Sequence, residues 1–596
     1  MTRNCMIHPA RILLGLASMG AAHAATFHVG SGCAYSTIAA AVTAAKANAG
    51  ADLIAVNTGS YAITTYIDIN DSSDLTIQGG YASCSATAST GQSTLDAGTK
   101  PTASAAVLFH HGAGALALRN LRIANNDDTG IYGGAIKSLN AGALTVSDSM
   151  LDHNKAHTGA GIFISHDNGT RGQLNVTNTI LEYNSADHNG GGIYALATEI
   201  SITGDTEFNI NAAGVGGADG DGGGIFAQNS NLLVSGHTPV DRYFLNSNGA
   251  FHGGALMIYE TNGGPYTVTL QNDRADEPLV IANNTAYYSG GALGLYADST
   301  SEEIITTVNL WNVTLDLNST YGSSGSGDAV FIQAYDPGAG HPAIVNVKMS
   351  QSDQGGNVPR CTPGLECNVI SNSESGSANR STVSVNQIGA AASAGFHLYR
   401  GYMRGNSATH ALISGSGYIT VDNSVIARNS FAAYLFDFSG NAPAVSNSTI
   451  AANNEPNAAV YILFNLANSA FALYHNIIDQ PGDSLCASIG GSKAVYDLML
   501  TSGTGVGACT GGTNVVFGNP LFVDRGNGNV RPAGFASEAV DHWAAATSGN
   551  TLVPTFDLDG GARPVIVADQ NKPYDLGAYE WGSVSDRVFA GGFELP

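Results

Sequence analysis

The stretch GGADGDGGGIF (216–226) gathers six glycines and two aspartates. Asp219 and Asp221 are hard oxygen donors two residues apart, the ligand type calcium takes. A glycine-rich backbone can also cradle phosphate, but that chemistry wants the glycines to open onto a helix, usually with a lysine. No lysine follows here, and the next residues, IFAQ, read as a strand. Calcium is therefore the one metal this stretch could hold, with Asp219 and Asp221 as ligands. The stretch nevertheless misses the GGxGxDxUx register of calcium-binding β-rolls. No other motif requires a cofactor.

Other chemistry is sparse. Glycoside hydrolysis needs carboxylates in facing pairs. Asp316 and Asp328 could face each other on neighbouring strands, although solvated turn carboxylates explain them as well. FHLYRGYMRGN (396–406) concentrates histidine, tyrosine and arginine but carries no acid. His153 and His157 have a metal spacing only on a helix, and their context is not helical. No catalytic set stands out.

The elements that would position these residues repeat. YGGAI, TGAGI, NGGGI, DGGGI, HGGAL, SGGAL and SGDAV end on Ile136, Ile162, Ile193, Ile225, Leu256, Leu293 and Val330, at spacings of 26, 31, 32, 31, 37 and 37. A second signature, an apolar residue followed three positions later by asparagine, interleaves with the first. It occurs at Asn126, Asn154, Asn184, Asn211, Asn284 and Asn318, and returns at Asn406, Asn429 and Asn453. Short alternating runs between Asn/Asp/Gly turns are strands. Units too small for their own core must stack on their neighbours. The prediction is an all-β chain, a right-handed parallel β-helix solenoid, with asparagines stacked in a ladder.

Alignment on the repeat aliphatic creates columns. The next position holds Phe163, Tyr194 and Phe226 on successive coils, and alternation turns it outward. Five positions before the aliphatic stand His157, His188, Phe251 and Tyr288. These seven residues are the candidates for a surface that binds a sugar or a partner, because contiguous exposed apolar surface usually marks contact; self-stacking that only stabilises the rungs explains them as well.

The GGAI and FxxN signatures resemble the repeats of chlamydial polymorphic outer membrane proteins, a resemblance that implies a right-handed parallel β-helix of the pectin-lyase-like fold. Near the C-terminus, NPLFVD (519–524), DLDGGARP (557–564) and DLGAYE (575–580) resemble the end of secreted bacterial choice-of-anchor Q proteins. The organisation expected is a signal peptide at 1–24, an N-terminal cap and first rungs at 25–100, and β-helix repeats at 101–480. A choice-of-anchor Q-like region at 481–582 and a tail at 583–596, a sorting tag, complete it. Within the cap, Tyr35-Ser36-Thr37 opens one short alanine-rich helix that ends at Asn48–Gly50.

Composition bounds the function. A net charge of −24 repels nucleic acid and acidic lipid headgroups. The apolar run at 12–22, with AHA after it, has the form of a cleaved export signal, and no later segment is long and apolar enough for a membrane helix. Six cysteines outlast that signal and group locally as Cys33/Cys84, Cys361/Cys367 and Cys486/Cys509, which predicts three disulfides formed outside the cytoplasm. The reading is a non-catalytic secreted or cell-surface, outer-membrane-associated protein that adheres to a glycan or a surface protein. The competing reading is an extracellular polysaccharide lyase or glycoside hydrolase on the same fold.

Overall fold

The computed structural model describes residues 24–98, 106–214, 219–236, 242–272, 277–300, 302–321, 327–338, 341–350, 369–371, 382–388, 390–441, 443–454, 462–466, 471–489, 493–501, 504–507, 513–534, 536–540, 557–558, 563 and 574–581. Residues 1–23 of the signal-peptide stretch, the tail at 583–596, Cys361, Cys367 and Cys509 lie outside them.

The chain is a right-handed parallel β-helix. Its coils contribute strands to a long sheet of 31 strands, a second sheet of 15 and a short sheet of 6. One coil shows the pattern. Ile162–Ser165 lies in the second sheet, Gly172–Thr177 and Ile180–Glu182 in the long sheet, and Ser185–Ala186 in the short sheet. The glycine corner then leads into Ile193–Leu196 of the next coil.

The repeat aliphatics stack residue on residue. Ile136 pairs with Ile162, and the column runs on through Ile193, Ile225, Leu256, Leu293 and Val330 in unbroken register. It continues to Val383. Parity then sends these side chains, and those two residues on, into one interior that runs from Val29 to Leu500. Each fully buried Ile, Leu, Val or Phe contributes about 1.5–3 kcal/mol relative to exposure, so stability is distributed along the solenoid.

The asparagine ladder forms as the sequence predicts. Asn154 Nδ2 donates to Asn184 Oδ1 at 3.1 Å, Asn184 to Asn211 at 3.0 Å, and Asn284 to Asn318 at 3.0 Å. The structure adds a rung, Asn248, which receives Asn211 at 3.1 Å and donates to Asn284 at 2.9 Å. A second ladder joins Asn406, Asn429 and Asn453 and ends on Gln480. The residue before each rung of the first ladder is left-handed. His153, Tyr183, Ile210 and Leu317 have φ of 54°, 53°, 55° and 53°. A non-glycine residue there costs roughly 1–2 kcal/mol. The buried amides, each held by two or more hydrogen bonds, offset that cost.

A helix, Ile38–Lys46, covers the N-terminal end. Its buried face is Ile38, Ala41, Val42 and Ala45, and the Thr37 hydroxyl caps it by accepting from the Ala40 amide at 3.2 Å. Such a cap stabilises by about 1 kcal/mol. Leu75–Tyr81 is an early rung. A disulfide, Cys33–Cys84, with Cα atoms 5.3 Å apart, ties the loop before the helix to the turn after that rung. Cys486 is also disulfide-bonded.

At the other end the chain folds back. Val530, Leu558, Ala578 and Tyr579 pack on the outer face of the long sheet, against Tyr402, Val425, Ala427 and Ala451. Leu576 and Ala539 pack on Ile477 and Met499. Beneath them Arg563 Nη2 donates to the Gly577 carbonyl at 2.8 Å, with Nε 3.7 Å from Glu580, while the Glu580 amide donates to Asp557 at 3.3 Å. Asp557 and Arg563 of DLDGGARP and Glu580 of DLGAYE thus meet in one buried ionic cluster.

Candidate functional site

Residues 219–226 of that stretch sit in the glycine corner between the short and second sheets. The glycine three residues before each repeat aliphatic carries a positive φ, +68° at Gly222, and a Cβ there would meet the Ile225 carbonyl at 2.4 Å. The chain curls so tightly that this glycine lies against the residue just after the aliphatic. At Gly159 a Cβ would touch Phe163 Cβ at 2.8 Å.

That curl decides the fate of the aromatic column. Phe163, Tyr194 and Phe226 do point outward and do stack, with centroids 5.1 and 5.2 Å apart and planes within 3° and 5°. They do not form an open strip. Phe163 and Phe226 are only 8% and 2% exposed, because the corner folds back over the sheet and lays its own side chains on them. Tyr132, for example, packs on Phe163 at 5.2 Å.

The column five before the aliphatic is nearer solvent. His157 and His188 pack at 4.3 Å. Two coils past His188, Phe251 contacts Tyr288 at 4.5 Å. Tyr288, 38% exposed, is joined by Tyr287 at 36% and Tyr321 at 68%. Phe251 and Tyr287 stack at 5.3 Å, and Tyr287 meets Tyr321 edge-on at 5.2 Å. Phe251, Tyr287 and Tyr321 each lie two residues past in-register positions of the short sheet, Gly249, Thr285 and Ser319. They form a platform across three successive rungs, about 4.8 Å apart.

Between platform and buried column lies a polar cluster four residues before the aliphatics. The Asp221 amide donates to Asn189 Oδ1 at 2.9 Å, and Asp221 bridges to His252 on the next coil. His252 Nδ1 lies 2.6 Å from Ser289 Oγ and 3.4 Å from the Tyr296 hydroxyl, which is 3.0 Å from Ser289 Oγ. Asp221 Oδ1 is buried with no hydrogen-bond partner. Burial, aided by the charge of Asp219, pushes its carboxyl up to about 7, against a hydrogen bond from the His252 backbone. Burial also holds the His252 imidazolium below its usual range, with Asp219 opposing, and raises the Tyr296 phenol. A serine hydroxyl beside a neutral imidazole is a proton-relay pair, but Ser289 is buried.

Asp219 is exposed whereas Asp221 is half-buried. Among the described residues no three His, Cys, Asp or Glu side chains converge as metal ligands. The two aspartates alone leave most of calcium's six to eight oxygens to backbone and water.

A second constellation lies on the long sheet. Arg122 grips Asp152 with two bonds, Nε at 2.8 Å and Nη2 at 2.5 Å, and His153 Nδ1 lies 2.9 Å from the same carboxylate. Glu182 is the register partner of Asp152, and burial followed by the Asp152 charge raises its carboxyl. Glu207, one rung on, is held by Arg242 at 2.6 Å and Asn209 at 3.0 Å. His153 stacks on the exposed Tyr183 at 4.9 Å. Asp316 and Asp328 do not make such a pair. Asp316 pairs with Ala282 and Ser371 in the long sheet, while Asp328 is buried at a glycine corner, accepting from Thr320 and Thr382 hydroxyls at 2.6 Å each.

Sequence reasoning reached Asp219, Asp221, His157, His188, Phe251 and Tyr288. It missed His252, Ser289, Tyr287, Tyr321 and the Asp152–Glu182 pair. The signal for each was available in the columns, since His252 and Ser289 align with Asp221, and Asp152 with Glu182.

No family model matches this chain, and no curated protein matches it. Among solved structures it is similar to a mutant form of a PL6 family alginate lyase, AlyGC, at 10% identity, over 80% of this chain and 85% of that one, with a TM-score of 0.16.

Proposed function

We propose that this chain is an exported, β-helical surface protein that binds a glycan along the outer corner between its short and second sheets. The observation that carries the reading is the aromatic platform of the exposed Tyr287, Tyr288 and Tyr321 with the half-buried Phe251, on consecutive rungs. Sugar rings present apolar C–H faces to aromatic planes, and soluble proteins seldom leave such a patch uncovered without use. The export-signal form of the N-terminus supports a setting outside the cytoplasm. So does the resemblance to polymorphic outer membrane protein repeats and choice-of-anchor Q ends. The test is retention on a panel of immobilised polysaccharides. The Tyr287→Ala/Tyr321→Ala variant should lose retention while its circular dichroism and melting stay those of the parent. Equal retention by the variant overturns the reading.

A second reading, polysaccharide cleavage, is favoured by the Asp152, Glu182 and Glu207 face. There one carboxylate is clamped by arginine while its neighbour is raised, the divergence that acid and base roles need. Release of reducing or unsaturated ends from a glycan panel, abolished by Glu182→Gln and measured with and without calcium, would establish it. Absence of any product across the panel would dismiss it.

A further inference from the structure

We infer that the glycan taken by the platform is a linear polysaccharide bearing free amino groups. This rests on the glycan-binding reading above and adds to it the charge class of the ligand. Between Lys155 and Lys348 the sequence holds nineteen acidic residues, three arginines and no lysine. Two of those arginines are committed elsewhere. Arg171 pairs with Glu199 at 3.2 Å and lies over the Tyr266 ring at 5.2 Å, while Arg242 pairs with Glu207 at 2.6 Å. The third, Arg274, lies outside the described residues. Of the lysines at the near end, Lys155 pairs with Asp127 at 2.8 Å, and Lys137 is drawn over the rings of Phe109 and Tyr132. A polyanionic chain laid on the platform would meet no uncommitted cation among the described residues.

Carboxylates are what it would meet. Asp187 lies two residues past Ser185, the short-sheet position in register with those that precede Phe251, Tyr287 and Tyr321, so it shares their outward face. Asp219 is exposed, close enough to His252 for its charge to act there. An uncharged chain would strip water from both carboxylates and return only hydroxyl hydrogen bonds, with no charge to offset theirs. An ammonium group on the sugar returns an ion pair, and it is also attracted by the aromatic faces, a contribution of about 0.5–1 kcal/mol at an exposed ring. The net charge of −24 adds attraction at long range, which salt weakens.

The experiment compares three immobilised probes at low and physiological salt: a glucosamine polymer, its fully N-acetylated counterpart and a polyuronate. The full-length protein should bind the glucosamine polymer about tenfold more tightly than the acetylated one at low salt, and the preference should shrink as salt screens it. The polyuronate should not be retained. Asp187→Asn/Asp219→Asn should remove the preference and leave the weaker binding to the acetylated polymer. Tyr287→Ala/Tyr321→Ala, which keeps the net charge, should lose binding to both. Equal affinity for the two amino-sugar polymers overturns the charge assignment but leaves glycan binding standing, as does retention of the polyuronate. Undiminished binding of the glucosamine polymer by the tyrosine variant reduces the attraction to bulk charge and overturns the inference. Failure to bind any probe overturns the charge assignment, and retention on the wider polysaccharide panel then decides the glycan reading.

Discussion

Replacing Asp221 with Asn should stabilise its coil at neutral and alkaline pH and change little in acid. The folded carboxyl titrates at about 7, against an ordinary value of 3.8, because burial penalises its charge. Below the ordinary value both the closed and the opened coil carry the proton, so Asp221 adds no cost. Between that value and about 7 the opened coil ionises and the closed coil does not, so stability falls as pH rises. Above 7 the full cost stands. About three pH units at 1.36 kcal/mol each give a ceiling of about 4 kcal/mol. Solenoids open coil by coil, so a global melt would dilute the effect. The suitable assay is amide hydrogen exchange at residues 222–228, parent against Asp221→Asn at matched pH. The parent should exchange at least about tenfold faster than the variant at pH 8, with a ceiling of roughly a thousandfold, and at nearly the same rate at pH 4. A ratio that does not move between those two pH values would mean that Asp221 ionises in the fold without penalty. Added calcium that slows exchange in the parent alone would show that the Asp219/Asp221 pair takes the ion when it is offered.

Other perturbations test the scaffold. Asn211→Ala removes the donors to Leu181 and Asn248 and the acceptor for Asn184, and should cost roughly 3–5 kcal/mol, read as lost protection in the flanking coils. Gly222→Ala forces a side chain into a backbone with φ +68° and against the Ile225 carbonyl, so that coil should lose about 1–2 kcal/mol or more. Cys84→Ser opens a disulfide spanning 51 residues and should destabilise the cap by about 4 kcal/mol, seen as faster proteolysis within residues 25–60. Arg563→Met takes a buried cation from beside Glu580 and the donor from the Gly577 carbonyl, and should loosen the folded-back segment, with protection lost at residues 574–581 while the coils beneath keep theirs.

Much of this architecture was legible because a solenoid writes its contacts into its period. Ile162 and Ile193 had to stack once each coil was seen to end in the same corner, and the ladder asparagines followed from the second signature. Asn248 escaped because the text around it, RYFLNSN, shares little with its sister coils beyond the apolar residue and the asparagine. Gln480 escaped because a longer amide closes the second ladder. The cap helix was readable from Thr37 and the alanines, since capping and propensity act within a few residues.

The site divides along the same line. The sequence by itself determined which residues share a column, and therefore that Asp221, His252 and Ser289 lie on adjacent rungs, because period and register are properties of the chain. It also determined that Phe163, Tyr194 and Phe226 turn outward. Only the tertiary structure decided that the glycine corner curls back and buries Phe163 and Phe226. It likewise put the exposed aromatic surface at Tyr287, Tyr288 and Tyr321, with Phe251 half-buried beside them. It alone brought Tyr296 to Ser289, set Arg122 on Asp152 and sealed Arg563 beneath the C-terminal segment. Alternation gives a side chain its direction, but cover and charge pairing depend on what another coil or a returning segment lays across it.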